Sequence, residues 1–139
     1  MAEQYTTRNR ISLVHSGEDY FSLLFKLIEK AKQVIHLQTY IYENDETGRK
    51  VAVALKDAVK RGLSVYLHVD GYASQKLRGE FRHDLENAGV YFKFFEPLLK
   101  SRHFYFVRRL HQKIFVVHAL YSLVGGLNIG DRCNDMPNE

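Results

Sequence analysis

Apolar residues recur at three- and four-residue intervals between Gly17 and Lys32: Phe21, Leu24, Phe25, Ile28 and Ala31 form one stripe. This spacing predicts an amphipathic helix, with Ser16 as N-cap and Asp19 as an acidic residue in the first turn. Val34 to Tyr42 is rich in β-branched and aromatic residues and predicts a strand. Asn44 to Gly48 reads as a polar turn. Arg49 to Arg61 places Val51, Ala54, Leu55, Ala58 and Val59 on one face, a second helix closed by Gly62. Leu63 to Asp70 predicts a second strand, and a third helix is expected around Lys76 to Ala88, ended by Gly89. Val90 to Phe95 predicts a third strand, stopped by Pro97. Leu110 to Val117 and Tyr121 to Leu127 are apolar runs joined near His118–Leu120, the pattern of an antiparallel hairpin.

Strands alternating with helices predict an α/β fold whose sheet has parallel neighbours and right-handed crossovers. The terminal hairpin makes that sheet mixed. Neither an internal repeat nor a low-complexity linker divides the chain, so residues 1–139 are read as one domain. A length of 139 residues, 45% hydrophobic and 13% aromatic, suffices for a core and excludes a disordered chain.

Charge narrows the partners. The formal net charge is +4 and the pI about 9.2, a balance that favours an anionic partner such as a phospholipid surface or nucleic acid. Cys133 is the single cysteine, so an intrachain disulfide and a cysteine-rich zinc site are excluded. Met1 to Arg10 is polar and lacks a signal-peptide core. Ile114 to Ile129 is too short and too interrupted by polar residues for a membrane span. The expected location is the cytoplasm.

The candidate chemistry lies in the hairpin. His111, Lys113, His118, Gly125, Gly126 and Asn128 form the pattern H-x-K-x4-H-x6-G-G-x-N. A histidine and a lysine two apart on a strand share a face. An imidazole can attack phosphorus, and an ammonium can hold a charged phosphate oxygen. Glycines allow close backbone approach, and an asparagine amide offers a donor. Gly125-Gly126 also suits a bulge or tight backbone contact. His111 and His118 are spaced neither for adjacent helical turns nor for alternate strand positions, so metal binding has little support.

This pattern resembles the signature of the phospholipase D superfamily, H-x-K-x4-D followed by a Gly-Ser or Gly-Gly pair and an asparagine. The one departure is His118, which stands where the family has aspartate. The likeness extends to Asn9–Gly17, Tyr40-Ile41-Tyr42 with Asp45 and Gly48, Arg61-Gly62-Leu63-Ser64-Val65 into Asp70, and Ala88-Gly89-Val90 into Phe95-Glu96-Pro97. These segments are similar to the first half of a bacterial cardiolipin synthase-type enzyme.

The resemblance implies a phospholipase D-like lobe, cut short, from a two-motif enzyme. Its first lobe would continue with another strand and an acidic residue that pairs with the catalytic histidine. His111 would be the nucleophile, forming a phosphohistidine, and Lys113 would clamp phosphate. Asn128 and Gly126 would bind substrate phosphate. The reaction would need no cofactor and no metal. A second histidine would come from a second lobe or a second copy, so the isolated chain is expected to be nearly inactive. The substrate class would be phospholipids, with the chain meeting the bilayer peripherally.

An aspartate at position 118 would accept hydrogen bonds at the hairpin end, whereas a neutral histidine accepts one. Either the motif is partly degenerate, or 118 is a turn position that tolerates the change. Arg102, His103, Arg108 and Arg109, interleaved with Phe104, Tyr105 and Phe106, form a basic loop suited to lipid headgroups or a nucleic-acid backbone. Tyr40 and Tyr42 read first as strand residues and second as site lining. Asp70 is expected to cap the turn after its strand. Two other readings compete with the half-enzyme: a single-motif nuclease active as a homodimer, and a module whose site has decayed.

Overall fold

The computed structural model describes residues 7–95 and 110–135. Helix α1 spans Gly17–Lys30, and strand β1 spans Val34–Thr39. Helix α2 (Glu46–Lys60) leads to β2 (Ser64–Asp70). A short 3₁₀ turn (Gln75–Leu77) and α3 (Glu80–Asn87) precede β3 (Tyr91–Phe95). The hairpin is β4 (Lys113–Val117) and β5 (Tyr121–Gly125), and a 3₁₀ turn (Asp131–Cys133) follows.

The strands form one five-stranded sheet in the order β3-β2-β1-β4-β5. β1, β2 and β3 run parallel, while β4 is antiparallel to both β1 and β5. Alternation sorts side chains between the two faces. Ile35, Leu37, Val65, Leu67, Val69, Phe115, Val117 and Leu123 are buried with Phe21, Leu24, Ile28, Val51 and Leu55 of the helices. Phe92 and Phe94 share that face, with the Arg82 guanidinium of α3 over their rings. The other face carries His36, Gln38, Tyr66, His68, Tyr91, Val116 and Val124, which range from half-buried to exposed. The described helices therefore cover one side of the sheet.

Several boundaries differ from the sequence pattern, each for a local reason. β1 ends at Thr39 rather than Tyr42, because the chain turns away and Tyr42 makes an isolated bridge to Ile129. Residues Glu46–Gly48 are the first turn of α2, not a loop, because Asp45 caps it by accepting from the Gly48 amide at 2.9 Å. Gly48 also lets the helix lie on the Glu43 carbonyl, where any Cβ would collide. The third predicted helix is split at Gly79, whose φ of +87° no helix accommodates. Ser16 caps α1 as expected, accepting from the Asp19 amide at 3.0 Å.

Candidate active site at the strand ends

The motif lies at the carboxyl ends of the parallel strands, the end where open α/β sheets gather ligands. Pairing Gln38 with Ile114 puts the start of β4 beside the end of β1. β4 begins at Lys113, so His111 precedes the strand instead of lying on it. Tyr40 brings the two side chains together nonetheless. The His111 ring packs edge-on against Tyr40 with centroids 4.5 Å apart, and the Lys113 ammonium lies 5.5 Å from the same ring's centroid. The ammonium also donates to the His111 carbonyl at 2.9 Å. Between them, Gln112 points to the opposite face and its carbonyl accepts from the Gln38 amide at 3.1 Å.

Asn128 reaches the same place from the far side of the hairpin. Its Oδ1 accepts from the Ile41 amide at 3.0 Å, which leaves its Nδ2 donor without a partner among the described residues. Gly125 and Gly126 have open space where a Cβ would stand, and neither has a positive φ. The tight-contact reading of this pair therefore finds no support, and the backbone here is open to an approaching group.

Asp70 is fully buried and does more than cap its turn. One oxygen accepts from the Tyr72 and Ala73 amides at 3.0 and 2.9 Å. The other accepts from the Leu110 amide at 3.0 Å, fixing the backbone directly before His111. Ser74, absent from the sequence reading, is buried and ties the site's inner wall together. Its hydroxyl accepts from the Tyr42 amide at 3.0 Å and donates to the Tyr40 carbonyl at 3.1 Å. Tyr42 is buried and packs against neither His111 nor Lys113, and its hydroxyl donates to the Gly48 carbonyl at 2.7 Å. Burial, then the nearby Asp45 carboxylate, pushes its hydroxyl far above its ordinary pKa.

His118 sits just past the opposite end of β4, five residues and roughly 16 Å from Lys113. Its Nε2 accepts from the Lys32 amide at 2.8 Å, and its Nδ1 lies 3.5 Å from the Val34 amide, at the limit of a hydrogen bond; a neutral imidazole accepts only one, and the Lys32 contact is the shorter. His118 thus secures the entry to β1 and takes no part in the cluster around His111. The basic run Arg102–Arg109 lies outside the described residues. Among the described residues, no three His, Cys, Asp or Glu side chains converge on a metal position, and no helix is long and apolar enough to cross a membrane.

Residues 24–139 match the family described as the phospholipase D-like domain of cardiolipin synthase. The chain belongs to this family. Cardiolipin synthase B of Escherichia coli K12 is 39% identical over 123 residues, which are 86% of this chain and 30% of that protein. The major cardiolipin synthase ClsA of Bacillus subtilis is 36% identical over 91% of this chain and 27% of its own length. The chain thus spans about 30% of the length of these curated relatives. Two solved structures share the fold of this phospholipase D-like domain. Nuc from Salmonella typhimurium, a phospholipase D family member, aligns with a TM-score of 0.60 and 18% identity, covering 82% of this chain and 68% of that one. NucT from Helicobacter pylori aligns with a TM-score of 0.65 and 18% identity, covering 88% of this chain and 74% of that one.

Proposed function

We propose that this chain is the N-terminal lobe of a cardiolipin synthase-type phosphatidyltransferase acting on phospholipid phosphodiesters through a phosphohistidine at His111. The observation that carries the reading is the joint packing of His111 and Lys113 on Tyr40, with Asn128 bound to the amide of the next residue, Ile41, and its Nδ2 unpartnered among the described residues. In this reaction a ring nitrogen of His111 attacks phosphorus and the bond to the leaving alcohol breaks. The departing oxygen takes a proton from a histidine supplied by a second lobe. An acceptor hydroxyl then attacks the phosphohistidine, returning its proton to that second histidine and freeing His111. Lys113 and Asn128 hold the non-bridging oxygens, whose charge is greatest in the transition state. Contact with the bilayer is peripheral, aided by the basic charge of the chain.

The test supplies a separately prepared second lobe in trans with a phospholipid substrate, then quenches at early times. The expected result is phosphorylation at His111 detected by mass spectrometry, with transfer restored. His111→Ala should lower the rate by about a thousandfold or more. A folded complex that forms no phosphohistidine would overturn the proposal. The chain alone should barely hydrolyse bis(p-nitrophenyl) phosphate. If its specific activity instead rises with protein concentration and disappears in His111→Ala, the chain is a self-assembling phosphodiesterase.

A further inference from the structure

The segment that holds the motif also borders a second place. Tyr40 packs on His111 and Lys113, and the Ile41 amide binds Asn128. One and two residues further on, Tyr42 and Glu43 form a wall of an open cleft of about 340 Å³. Tyr72, Ala73, Gln75, Lys76 and Arg132 line the rest together with Ile41, at the same end of the sheet as the motif. The cleft therefore begins within about 8 Å of chain from Tyr40.

Its chemistry is cationic and rich in donors. Arg132 lies 3.4 Å from the Glu43 carboxylate, which offsets one positive charge. Lys76 is exposed and has no ion-pair partner among the described residues. One cation is thus left over, beside the Gln75 amide. The volume fits a small polar group, not an acyl chain.

We propose that this cleft is a second anion subsite, which takes the phosphate of a glycerophosphate acceptor in the second half of the transfer. The inference rests on the proposed function. The donor phosphate occupies the His111–Lys113–Asn128 cluster, so a second phosphate needs its own cations a short distance away. Lys76 and Arg132 provide them. The Glu43 carboxylate opposes the anion and keeps Arg132 in place, so binding is weak enough for turnover.

The experiment titrates the 139-residue chain with sn-glycerol 3-phosphate and follows backbone amide resonances by NMR. Shifts are expected at Gln75, Lys76 and Arg132, and saturation should survive Lys113→Ala. Lys76→Gln should weaken binding about tenfold. Glu43→Gln, which frees Arg132, should tighten it severalfold. Lys76 is exposed, so its substitution leaves the fold intact, and unchanged affinity in Lys76→Gln would overturn the proposal. Shifts confined to Lys113 and Asn128 would overturn it equally. Displacement of the probe by phosphatidylglycerol nanodiscs, but not phosphatidylcholine ones, would assign the acceptor to a lipid headgroup. Failure of both to displace it would assign a free ester. Binding at Lys76 without a phosphohistidine at His111 would sink the reaction and leave the subsite, and the reverse result would do the opposite.

Discussion

Two histidines outside the cluster have different consequences. At His118 and Ala119 the turn of the hairpin takes φ values of 54°, a region where Asn, Asp and His are enriched and Ala is strained. His118 is an adequate replacement for an acidic acceptor because its Nε2 lone pair meets the Lys32 amide. A carboxylate would stand near the Nδ1 position, beside the Val34 amide, and accepts more than one bond. His118→Asp should therefore raise the urea midpoint slightly and leave the transfer rate of the proposed two-lobe assembly unchanged. His118→Leu, which keeps the bulk and removes the acceptor, should cost about 1 kcal/mol. A large change in transfer rate with His118→Asp would contradict the placement of this residue away from the chemistry. His68 is the other case. Its Nε2 is buried without a partner among the described residues, and burial followed by the Lys93 charge lowers its pKa below the ordinary 6.5. The folded state thus keeps the ring neutral while the unfolded chain takes up a proton near 6.5. Stability is full above that pH and declines as pH falls from 6.5 toward the lower folded value. His68→Phe should flatten the difference between urea midpoints at about pH 7.5 and 5.5. An unchanged difference would mean that the ring titrates normally.

At the scale of elements, the start of α2 is where distant parts of the chain meet. Asp45 accepts from the Gly48 amide with one oxygen and from the Asp131 amide at 2.7 Å with the other. Asp131 in turn accepts from the Glu46 and Thr47 amides at 3.2 and 2.6 Å. Partial burial pushes the Asp131 carboxyl upward, but the Thr47 hydroxyl, these two amides and Arg49 outweigh it and leave its pKa below the ordinary 3.8. Its contribution is therefore present above pH 3.8 and lost as acid titrates it through the lowered value. Asp131→Ala should cost about 1–2 kcal/mol, as the loss of a cap does, and Asp131→Asn should make acid unfolding less steep. Equal acid unfolding of Asp131→Asn and the parent would show that the carboxylate charge is immaterial.

This double cap also marks what the sequence could and could not disclose. Periodicity of apolar residues located α1 and α2, because each buries one stripe, and apolar runs rich in β-branched and aromatic residues located the strands. The H-x-K spacing and the asparagine singled out His111, Lys113 and Asn128 as residues. The convergence of His111 and Lys113 on Tyr40, and of Asn128 on Ile41, was not legible, since it depends on pairing with the end of β1 across more than seventy residues. Asp131, Ser74 and Arg132 lacked any periodic signal: each acts on a backbone or charge far away in sequence. The early start of α2 had a local sign, Asp45 three residues before Gly48, which the polar composition of the segment concealed.

At the scale of the molecule, the motif hairpin is a structural member as much as a chemical one. Among the described residues, β4 alone pairs with the second edge of β1, and its Phe115 and Val117, with Leu123 and Ile129, are at most 9% exposed. Burial of four such side chains is worth about 1.5–3 kcal/mol each, against a total stability of about 5–15 kcal/mol for an ordinary domain. A chain ending at residue 109 would also open the β1 edge and strip the Asp131 carboxylate from α2. Unpaired, apolar edges of this kind recruit other strands. The shortened chain should show no cooperative urea transition and should elute as aggregates in size-exclusion chromatography. Cooperative unfolding of a monomeric 1–109 chain would instead mean that the parallel strands and their helices fold independently, with the motif hairpin docked on afterwards. The first outcome ties function to stability. In the proposed reaction His111 must meet phosphorus in a fixed orientation, and it stands directly before an element that cannot move without unfolding the sheet.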